Sequence, residues 1–275
     1  MLGTPYDCEG GHRRRSLNKS HLGGGSSSLT KLAVLQWQIT FGNIQENRKK
    51  VLELLNPLED CLVVLPEMFP CGFDYDNLKK HTKESQRLLE ELRELSKEKR
   101  LTLIGTYPEE REGKLFNTAF VLSDGLLVGK RDKIKLFPLY REGEHFSPGQ
   151  ENPVFETRHG KVGVLVCFEL RFPNLGWELR KKGAQIIAVP SLWGAKRKEH
   201  LKVLSQARAV ELQSYLLLSN GWGRTGEEEY AGNSAIYDPW GNALAFSEVG
   251  DSALLVYADL RKVEAVRRLI PVDTD

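Results

Sequence analysis

Residues 161–190, KVGVLVCFELRFPNLGWELRKKGAQIIAVP, contain two apolar strands separated by a helix. The strands KVGVLVCF and AQIIAVP are almost continuously apolar, as expected when both faces of a sheet are buried. Between them, NLGWELRKKG predicts a helix that stops at Gly183. A buried strand, a helix and a second buried strand in this order indicate an α/β protein.

The same pattern extends over the chain from Lys31 onward, with hairpins inserted between the strand–helix units. Further strands are predicted at KLAVLQWQI (31–39), CLVVLPE (61–67), LTLIGTY (101–107), SYLLLSN (214–220) and SALLVYADL (252–260). Helices are predicted at GNIQENRKKVLELL (42–55), SQRLLEELRELSKEKR (85–100) and KRKEHLKVLSQARAVELQ (196–213), with a last short one from near Lys262. Hairpins are predicted within 115–134, 153–168 and 232–247. This mixture favours one α/β domain in which two sheets pack face to face with helices outside.

Composition excludes several classes of protein. The 275 residues carry 39 Lys+Arg and 37 Asp+Glu, a formal net charge of +2. Removing the four basic and two acidic residues of 1–29 leaves 35 of each sign, so the remainder is neutral overall. A neutral body argues against a dedicated nucleic-acid binder. No apolar run approaches the roughly 18 residues that cross a membrane.

The first 29 residues differ from the rest of the chain. They contain GGGSSS, which behaves as a flexible linker, and they lack the apolar segment of a secretory signal. We therefore expect 1–29 to be a disordered leader or an expression-derived tag, and 30–275 to form the domain. A basic arm that contacts nucleic acid is the alternative for the leader. The three cysteines after residue 29 fit no zinc spacing, and a reducing cytoplasm is the expected location.

Cys167 ends an apolar strand and precedes a turn and a helix. That position lies at the carboxyl edge of the predicted sheet, where ligands bind in α/β proteins. A nucleophilic cysteine needs a base or a positive field beside it. The histidines after residue 29 are His81, His145, His159 and His200. A Cys–His pair through His145 or His159 is one interpretation, and a buried cysteine that only fills the strand is another.

Charged residues end two other strands. Glu67 closes CLVVLPE, where a buried carboxylate is costly and acquires a raised pKa that suits a general base. A helix cap or a salt bridge is the structural alternative for Glu67. Lys133 follows GLLVGKRD, where an exposed lysine is the alternative, and chemistry alone does not separate it from Lys135. Glu142 and Glu144 lie in the long irregular stretch after Lys133, which is more typical of a functional loop than of a connection.

A base, an electrostatic stabiliser and a nucleophile at three strand ends resemble the Glu–Lys–Cys triad of the nitrilase superfamily of carbon–nitrogen hydrolases, in the same chain order. LPEMFPCGF (65–73), KRDKIKLF (130–137) and GVLVCFELRFP (163–173) look like the family's glutamate, lysine and cysteine motifs. EGEHFSPG (142–149) looks like the segment with a second glutamate, and 206–223 and 232–245 match two further segments. The resemblance implies a four-layer α-β-β-α sandwich of two mixed sheets, and several motifs in order are a specific signal.

The resemblance also implies a mechanism. Glu67 would be the general base, and Cys167 the nucleophile that forms a thioester with an amide carbonyl. Lys133, which the motif selects over Lys135, would hold the oxyanion together with the backbone N–H of Phe168. The spacing within the loop motif favours Glu142 over Glu144 as the second glutamate. Neither a metal nor an organic cofactor is required.

The segment CFELRFP is closest to the CYDLRFP-like form of ω-amidases and related short-chain amidases, with Phe168 and Glu169 replacing Tyr and Asp. It favours an amidase that releases ammonia from a small, ω-type amide. N-carbamoyl amines or nitriles are alternative substrates, and a small-ligand binding module is the non-catalytic alternative. The resemblance further implies a homodimer or small homo-oligomer whose other partners are the amide and water, with no nucleic acid or membrane.

Four side chains are candidates for the substrate pocket. Arg171 matches a carboxylate bidentately, and its alternative is pairing with an internal glutamate. Phe73, Tyr140 and Trp193 are candidates for the pocket walls, with core packing as the alternative for each.

Overall fold

A computed structural model describes residues 29–273, and the prediction for the leader falls on residues outside this range apart from Leu29. Two six-stranded sheets form the centre of the molecule. The first has the spatial order β14 (Ser252–Ala258), β1 (Thr30–Gln36), β2 (Cys61–Val64), β3 (Thr102–Arg111), β4 (Lys114–Ser123) and β5 (Leu126–Asp132). Strands β1, β2 and β3 are parallel, whereas β14, β4 and β5 each run antiparallel to their neighbours.

The second sheet has the same construction. Its order is β13 (Ala243–Ser247), β12 (Ser234–Tyr237), β9 (Tyr215–Asn220), β8 (Ile186–Ser191), β7 (Gly160–Val164) and β6 (Phe155–Thr157). Strands β7, β8 and β9 are parallel, whereas β6, β12 and β13 each run antiparallel to their neighbours. A separate ribbon of β10 (Trp222–Thr225) and β11 (Glu228–Ala231) projects beside this sheet.

Helices cover the outer faces of the two sheets. The α-helices are α1 (Ile44–Leu55), α2 (Leu78–Glu98), α3 (Pro173–Lys181), α4 (Lys198–Leu212) and α5 (Arg261–Leu269). Because successive strand residues point to opposite faces, Leu32 and Val34 of β1 join the core between the sheets, while Ala33 and Leu35 join the core that includes α1 and α2. The predicted α/β fold of two packed mixed sheets with helices outside is confirmed.

Two local predictions differ from the structure. Helix α2 begins at Leu78 rather than near residue 85. In its first turns the buried His81 is polar, and its Nε2 atom lies 2.7 Å from Asp74 Oδ2. Because a buried polar residue interrupts the apolar spacing, hydrophobic periodicity does not indicate a helix over these turns. The β10–β11 ribbon was not predicted, since its strand β11 has two exposed glutamates. No helix among residues 29–273 is long and apolar enough to cross a membrane.

Candidate active site

Three strand ends meet at one edge of the sandwich. Glu67 follows β2, Lys133 directly follows β5, and Cys167 follows β7. Strand β5 runs in the direction of β2, so both end at the same edge of the first sheet. The second sheet meets this edge where the backbone N–H of Leu192, just after β8, donates to Glu67 Oε2 at 3.1 Å. Strand direction within each sheet, together with the packing of the two sheets, thereby brings together residues that are far apart in sequence.

Lys133 lies between two carboxylates. Its Nζ atom is 2.7 Å from Glu67 Oε1 and 2.6 Å from Glu142 Oε1, and all three side chains are buried. Glu144 instead pairs with Arg141 at the surface. The ammonium of Lys135 lies over the ring of Phe172, 5.2 Å from its centroid. The structure therefore brings Lys133 and Glu142 to Glu67, and it leaves Lys135 and Glu144 outside.

Neutral donors complete this buried cluster. Asn117 Nδ2 donates to Glu67 Oε1 at 2.9 Å and lies 3.5 Å from Glu142 Oε2. The backbone N–H of Phe137 donates to Glu142 Oε1 at 3.0 Å. Buried charges are tolerated only when they are paired and hydrogen-bonded. Sequence reasoning missed Asn117, because a polar residue inside the strand β4 carries no signal of what it faces.

The environment shifts the pKa values of the cluster. Burial raises the pKa of Glu67 above its ordinary value; the charge of Glu142 adds to this effect, and Lys133 opposes it. Burial alone would lower the pKa of Lys133, but the charges of Glu142 and Glu67 raise it well above its ordinary value. The lysine therefore stays a cation, while Glu67 is poised to take up a proton.

Cys167 occupies a constrained turn beside this cluster. Its φ of 47° is left-handed, which is costly for a non-glycine residue and is typical of functional positions. The thiol and the carboxyl group of Glu67 each shift the pKa of the other, as expected for neighbouring side chains. Burial and the charge of Glu67 raise the pKa of the Cys167 thiol, against the opposing charge of Lys133. The resting group is thus a neutral thiol with a carboxylate in place to remove its proton.

Neither of the two histidines considered as a base for Cys167 is its partner. His145 stacks on the ring of Tyr75 with centroids 3.9 Å apart. His159 lies at the opposite end of the strands, where its ring nitrogens contact Asp60 and Thr102. Within the described part of the chain, the charged groups that act on the thiol are Glu67 and Lys133.

The backbone N–H of Phe168 belongs to the second residue of a short 3-10 turn, Cys167–Arg171. It has no hydrogen-bond partner among residues 29–273. A free N–H directly after a nucleophile is the donor that a developing oxyanion needs.

A small pocket opens at the thiol. It is lined by Phe137, Cys167, Phe168, Arg171, Leu192, Trp193 and Arg197. The guanidinium of Arg171 lies over Trp193, 4.9 Å from the ring centroid, and its Nη2 atom is 3.0 Å from His200 Nδ1. Arg171 forms no ion pair with a glutamate within the described residues, so the predicted alternative for it is wrong.

Arg197 is a second cation at this pocket. Sequence reasoning missed it because nothing in the run KRKEH separates one basic residue from the others. Its guanidinium lies 5.1 Å from the ring centroid of Phe137. Burial, together with the charge of Arg197, lowers the pKa of Arg171. Among residues 29–273 neither guanidinium group has a carboxylate partner, and together they form a site that an anion would complete.

The predicted wall residues divide between two places. Trp193 lines the thiol pocket, and its Nε1 atom donates to the backbone oxygen of Arg197 at 2.8 Å. Phe73 lines a separate cleft, and Tyr140 lies between the two, since it borders that cleft and its ring contacts Phe137 at 4.8 Å between centroids.

Comparison with known proteins decides the family. The family model described as carbon-nitrogen hydrolase matches residues 31–268. This chain belongs to the carbon–nitrogen hydrolase family. The hydrolase is 31% identical over 250 residues to the 2-oxoglutaramate amidase of Bacillus subtilis (strain 168), across 89% of this chain and 96% of that protein. It is 34% identical over 227 residues to omega-amidase NIT2 of Mus musculus, across 77% of this chain and 81% of that protein.

A solved structure agrees with this assignment. The crystal structure of Saccharomyces cerevisiae Nit3, a member of branch 10 of the nitrilase superfamily, matches with a TM-score of 0.81 and 26% sequence identity. The match covers 90% of this chain and 96% of that one. The predicted nitrilase-superfamily membership and the predicted enzyme class, a carbon–nitrogen hydrolase, are confirmed.

A buried carboxylate joins the segments that carry Lys133 and Cys167 in this carbon–nitrogen hydrolase. Glu169 Oε2 accepts from the backbone N–H groups of Ile134 at 2.8 Å and Lys135 at 3.2 Å, directly after Lys133. Its Oε1 accepts from the N–H of Val166 at 2.8 Å, directly before Cys167. Arg131 Nη1 also forms an ion pair with Glu169 Oε1 at 2.7 Å.

Replacing Glu169 tests whether this connection positions the site. We expect Glu169→Gln to lower kcat about tenfold or more with a smaller change in KM, since about 1.4 kcal/mol of lost positioning corresponds to tenfold in rate. The melting temperature should also fall, because Arg131 loses a buried partner. Steady-state kinetics beside Glu156→Gln, an exposed carboxylate on β6, checks this. Unchanged kcat in a destabilised Glu169 variant would reduce the role of Glu169 to folding.

Proposed function

We propose that this protein is a cysteine-dependent amidase that releases ammonia from a small ω-amide carrying a carboxylate. One observation carries the proposal: the Glu67–Lys133–Glu142 cluster is buried against the thiol of Cys167. A binding module has no need for this costly arrangement of charges. The names of the relatives, 2-oxoglutaramate amidase and omega-amidase, support the amide and its ω position.

The geometry supports a two-stage reaction. Glu67 takes the proton of the thiol as the sulfur of Cys167 attacks the amide carbon. Lys133 and the N–H of Phe168 stabilise the oxyanion, and such a donor contributes about 3–4 kcal/mol. Glu67 then returns its proton to the nitrogen, ammonia leaves and a thioester remains. Water activated by Glu67, and oriented by Glu142, releases the acid.

The two guanidinium groups of the thiol pocket favour an acyl chain that ends in a carboxylate. Arg171 and Arg197 both line this pocket, and neither has a carboxylate partner among residues 29–273. The substrate carboxylate would supply the missing anion, with its amide carbon at Cys167.

A substrate panel tests the function. Ammonia release is measured with succinamate, glutaramate, glutamine, propionamide, an N-carbamoyl amino acid and a nitrile. We expect the two ω-amides to be turned over fastest. Arg171→Met should raise KM for succinamate about tenfold or more, a loss of about 1.5–3 kcal/mol for a charged hydrogen bond, with little effect on propionamide. Lys196→Gln, an exposed neighbour of Arg197, is the control. Turnover of only the carbamoyl compound or the nitrile would overturn the substrate proposal.

The raised pKa of Glu67 predicts how activity depends on pH. The carboxylate is the form that accepts the thiol proton, so the active form exists above this pKa and is lost as pH falls through it. Because the pKa of Glu67 is raised from the ordinary 4.5, we expect the acid limb of kcat/KM to have its midpoint above pH 4.5. A pH profile at constant ionic strength, with circular dichroism to confirm folding, measures this midpoint. A value at or below 4.5 in folded protein contradicts the assignment.

We further propose a homodimer or small homo-oligomer in a reducing cytoplasm, with residues 30–275 as one catalytic domain. Val203 and Val210 of α4 and Trp240 are each at least half exposed, and Val210 and Trp240 line the same surface cleft, which supports an apolar face covered by a second copy. Cys61 and Cys71 are free and buried, as expected in a reducing compartment. Light scattering of the purified protein measures the oligomeric state, and a monomer at micromolar concentration would contradict it.

A further inference from the structure

A second cleft lies beside the thiol pocket, on the far side of the Tyr140 ring. Its volume is about 370 Å³, within the range of small-molecule sites. The walls are aromatic, and the β10–β11 turn supplies carboxylates at the rim. The residues that matter here are Phe41, Tyr75, Tyr140, Tyr230, Glu227 and Glu228.

The chemistry of this cleft suits a cation with an apolar body. Aromatic rings attract cations to their faces, and several rings around one space form a cation-binding cage. Glu227 and Glu228 are exposed, and neither side chain forms an ion pair with another of residues 29–273. Arg224, the nearest cation in sequence, donates to the backbone oxygen of Glu227 and not to its carboxylate. The negative charge at the rim is therefore free to meet a ligand.

Tyr230 links the cleft to the catalytic centre. The residue is only 5% exposed and lines the cleft, yet its hydroxyl has no hydrogen-bond partner among the described residues. The backbone of Tyr230 bridges to Gly194, directly after Trp193 of the thiol pocket, and burial raises the pKa of the Tyr230 ring well above its ordinary value. Its centroid is 6.5 Å from that of Tyr140.

The position of the cleft decides which half of a substrate it faces. Arg171 and Arg197 border Cys167 and Phe168, and in the proposed function this pocket holds the acyl chain of the substrate. The cleft instead adjoins the loop that carries Glu142: the Tyr75 hydroxyl donates to the backbone oxygen of Tyr140 at 2.7 Å, and Lys133 joins Glu142 to Glu67. Glu67 delivers the proton to the leaving nitrogen. A group attached to that nitrogen would therefore extend toward the aromatic cleft.

We propose that the cleft binds the amine half of a secondary amide whose N-substituent is an alkyl or aryl group carrying a protonated amine. This inference rests on the proposed amidase function and adds substituted amines to ammonia as leaving groups. The sulfur of Cys167 forms its bond to the carbonyl carbon, the C–N bond breaks, and the proton held by Glu67 moves to the nitrogen. The amine departs through the cleft, and water hydrolyses the thioester to the acid.

A matched pair of secondary amides tests the proposal in the full-length enzyme. N-(4-aminobutyl)succinamate carries the cation, and N-pentylsuccinamate has nearly the same shape without it. Release of succinate is measured for both, with succinamate as the reference. We expect the wild-type enzyme to hydrolyse the cationic amide with a kcat/KM about fivefold or more above that of the neutral one, as a cation among aromatic rings provides.

Variants of the rim glutamates show whether the preference for the cationic amide comes from the cleft or from the general charge of the protein. The double variant Glu227→Gln/Glu228→Gln should abolish the preference for the cationic amide. Glu229→Gln alters the neighbouring exposed glutamate of β11 that does not line the cleft, and it should keep the preference. Hydrolysis of succinamate without hydrolysis of either secondary amide would overturn the inference and leave the proposed function standing. A preference that persists in the double variant would also overturn it. Failure on succinamate itself would contradict the proposed function.

Discussion

Cys167→Ala is expected to abolish amide hydrolysis, with a loss on the order of 10⁴-fold or more in kcat. In the proposed mechanism the thiol forms the covalent bond to the acyl carbon, whereas Lys133 and the N–H of Phe168 stabilise charge. Because the substitution removes one sulfur atom from a buried position, the fold should survive. Ammonia release from succinamate and a thermal melt of the same sample measure both effects.

Cys71→Ala is the matched control for Cys167→Ala. Cys71 is also buried, and its thiol contacts the backbone oxygen of Gly72 rather than the charged cluster. We expect this control to keep its activity and to lose a similar amount of stability. Full activity in Cys167→Ala would remove the thioester mechanism, and equal inactivity of both variants would point to folding instead.

Lys133→Ala is the second large effect. Loss of an oxyanion donor lowers kcat on the order of 10²–10³-fold. The same change leaves Glu67 and Glu142 buried and unpaired, and breaking a buried ion pair costs about 3–5 kcal/mol. The loss of stability should be smaller in acid. A carboxyl group of raised pKa binds a proton in the folded state, and its penalty grows as pH rises through that pKa.

The adjacent lysine provides the control for Lys133→Ala. The side chain of Lys135 contacts the ring of Phe172 and forms no ion pair with Glu67 or Glu142. Lys135→Ala should therefore retain activity, and its melting temperature should stay within a few degrees of wild type at every pH. Adding Glu142→Gln to Lys133→Ala should recover stability but not activity. An inactive Lys135 variant beside an active Lys133 variant would reverse the assignment.

The sequence predicted the parts of the site that depend on strand direction. Glu67, Lys133 and Cys167 each follow a strand, and parallel strands bring their carboxyl ends to one edge. The same reasoning could not predict Asn117 or Glu169. Asn117 is one polar residue inside a strand, and Glu169 acts through contacts with backbone groups more than 30 residues away. Such partners are determined by how the two sheets pack and not by any local pattern.

The unpredicted β10–β11 ribbon shows the same limit in the fold. Its strands are short, and Glu228 and Glu229 begin β11 where an alternating pattern would need an apolar residue. The ribbon is held by pairing, by a bridge between Gly194 and Tyr230, and by the burial of Tyr230 and Ala231 at the end of β11. It nevertheless supplies the rim of the aromatic cleft. Residues that determine specificity can therefore lie where hydrophobic periodicity is weakest.

Interception of the acyl-enzyme by hydroxylamine tests the central claim, a thioester on Cys167, most directly. The wild-type enzyme is incubated with succinamate and increasing hydroxylamine, and ammonia, succinate and succinyl hydroxamate are measured together. A thioester reacts with either water or hydroxylamine, so we predict that hydroxamate replaces succinate as hydroxylamine rises. Both products should be absent with Cys167→Ala. Ammonia release that yields succinate alone at every hydroxylamine concentration, and that persists in Cys167→Ala, would contradict the account.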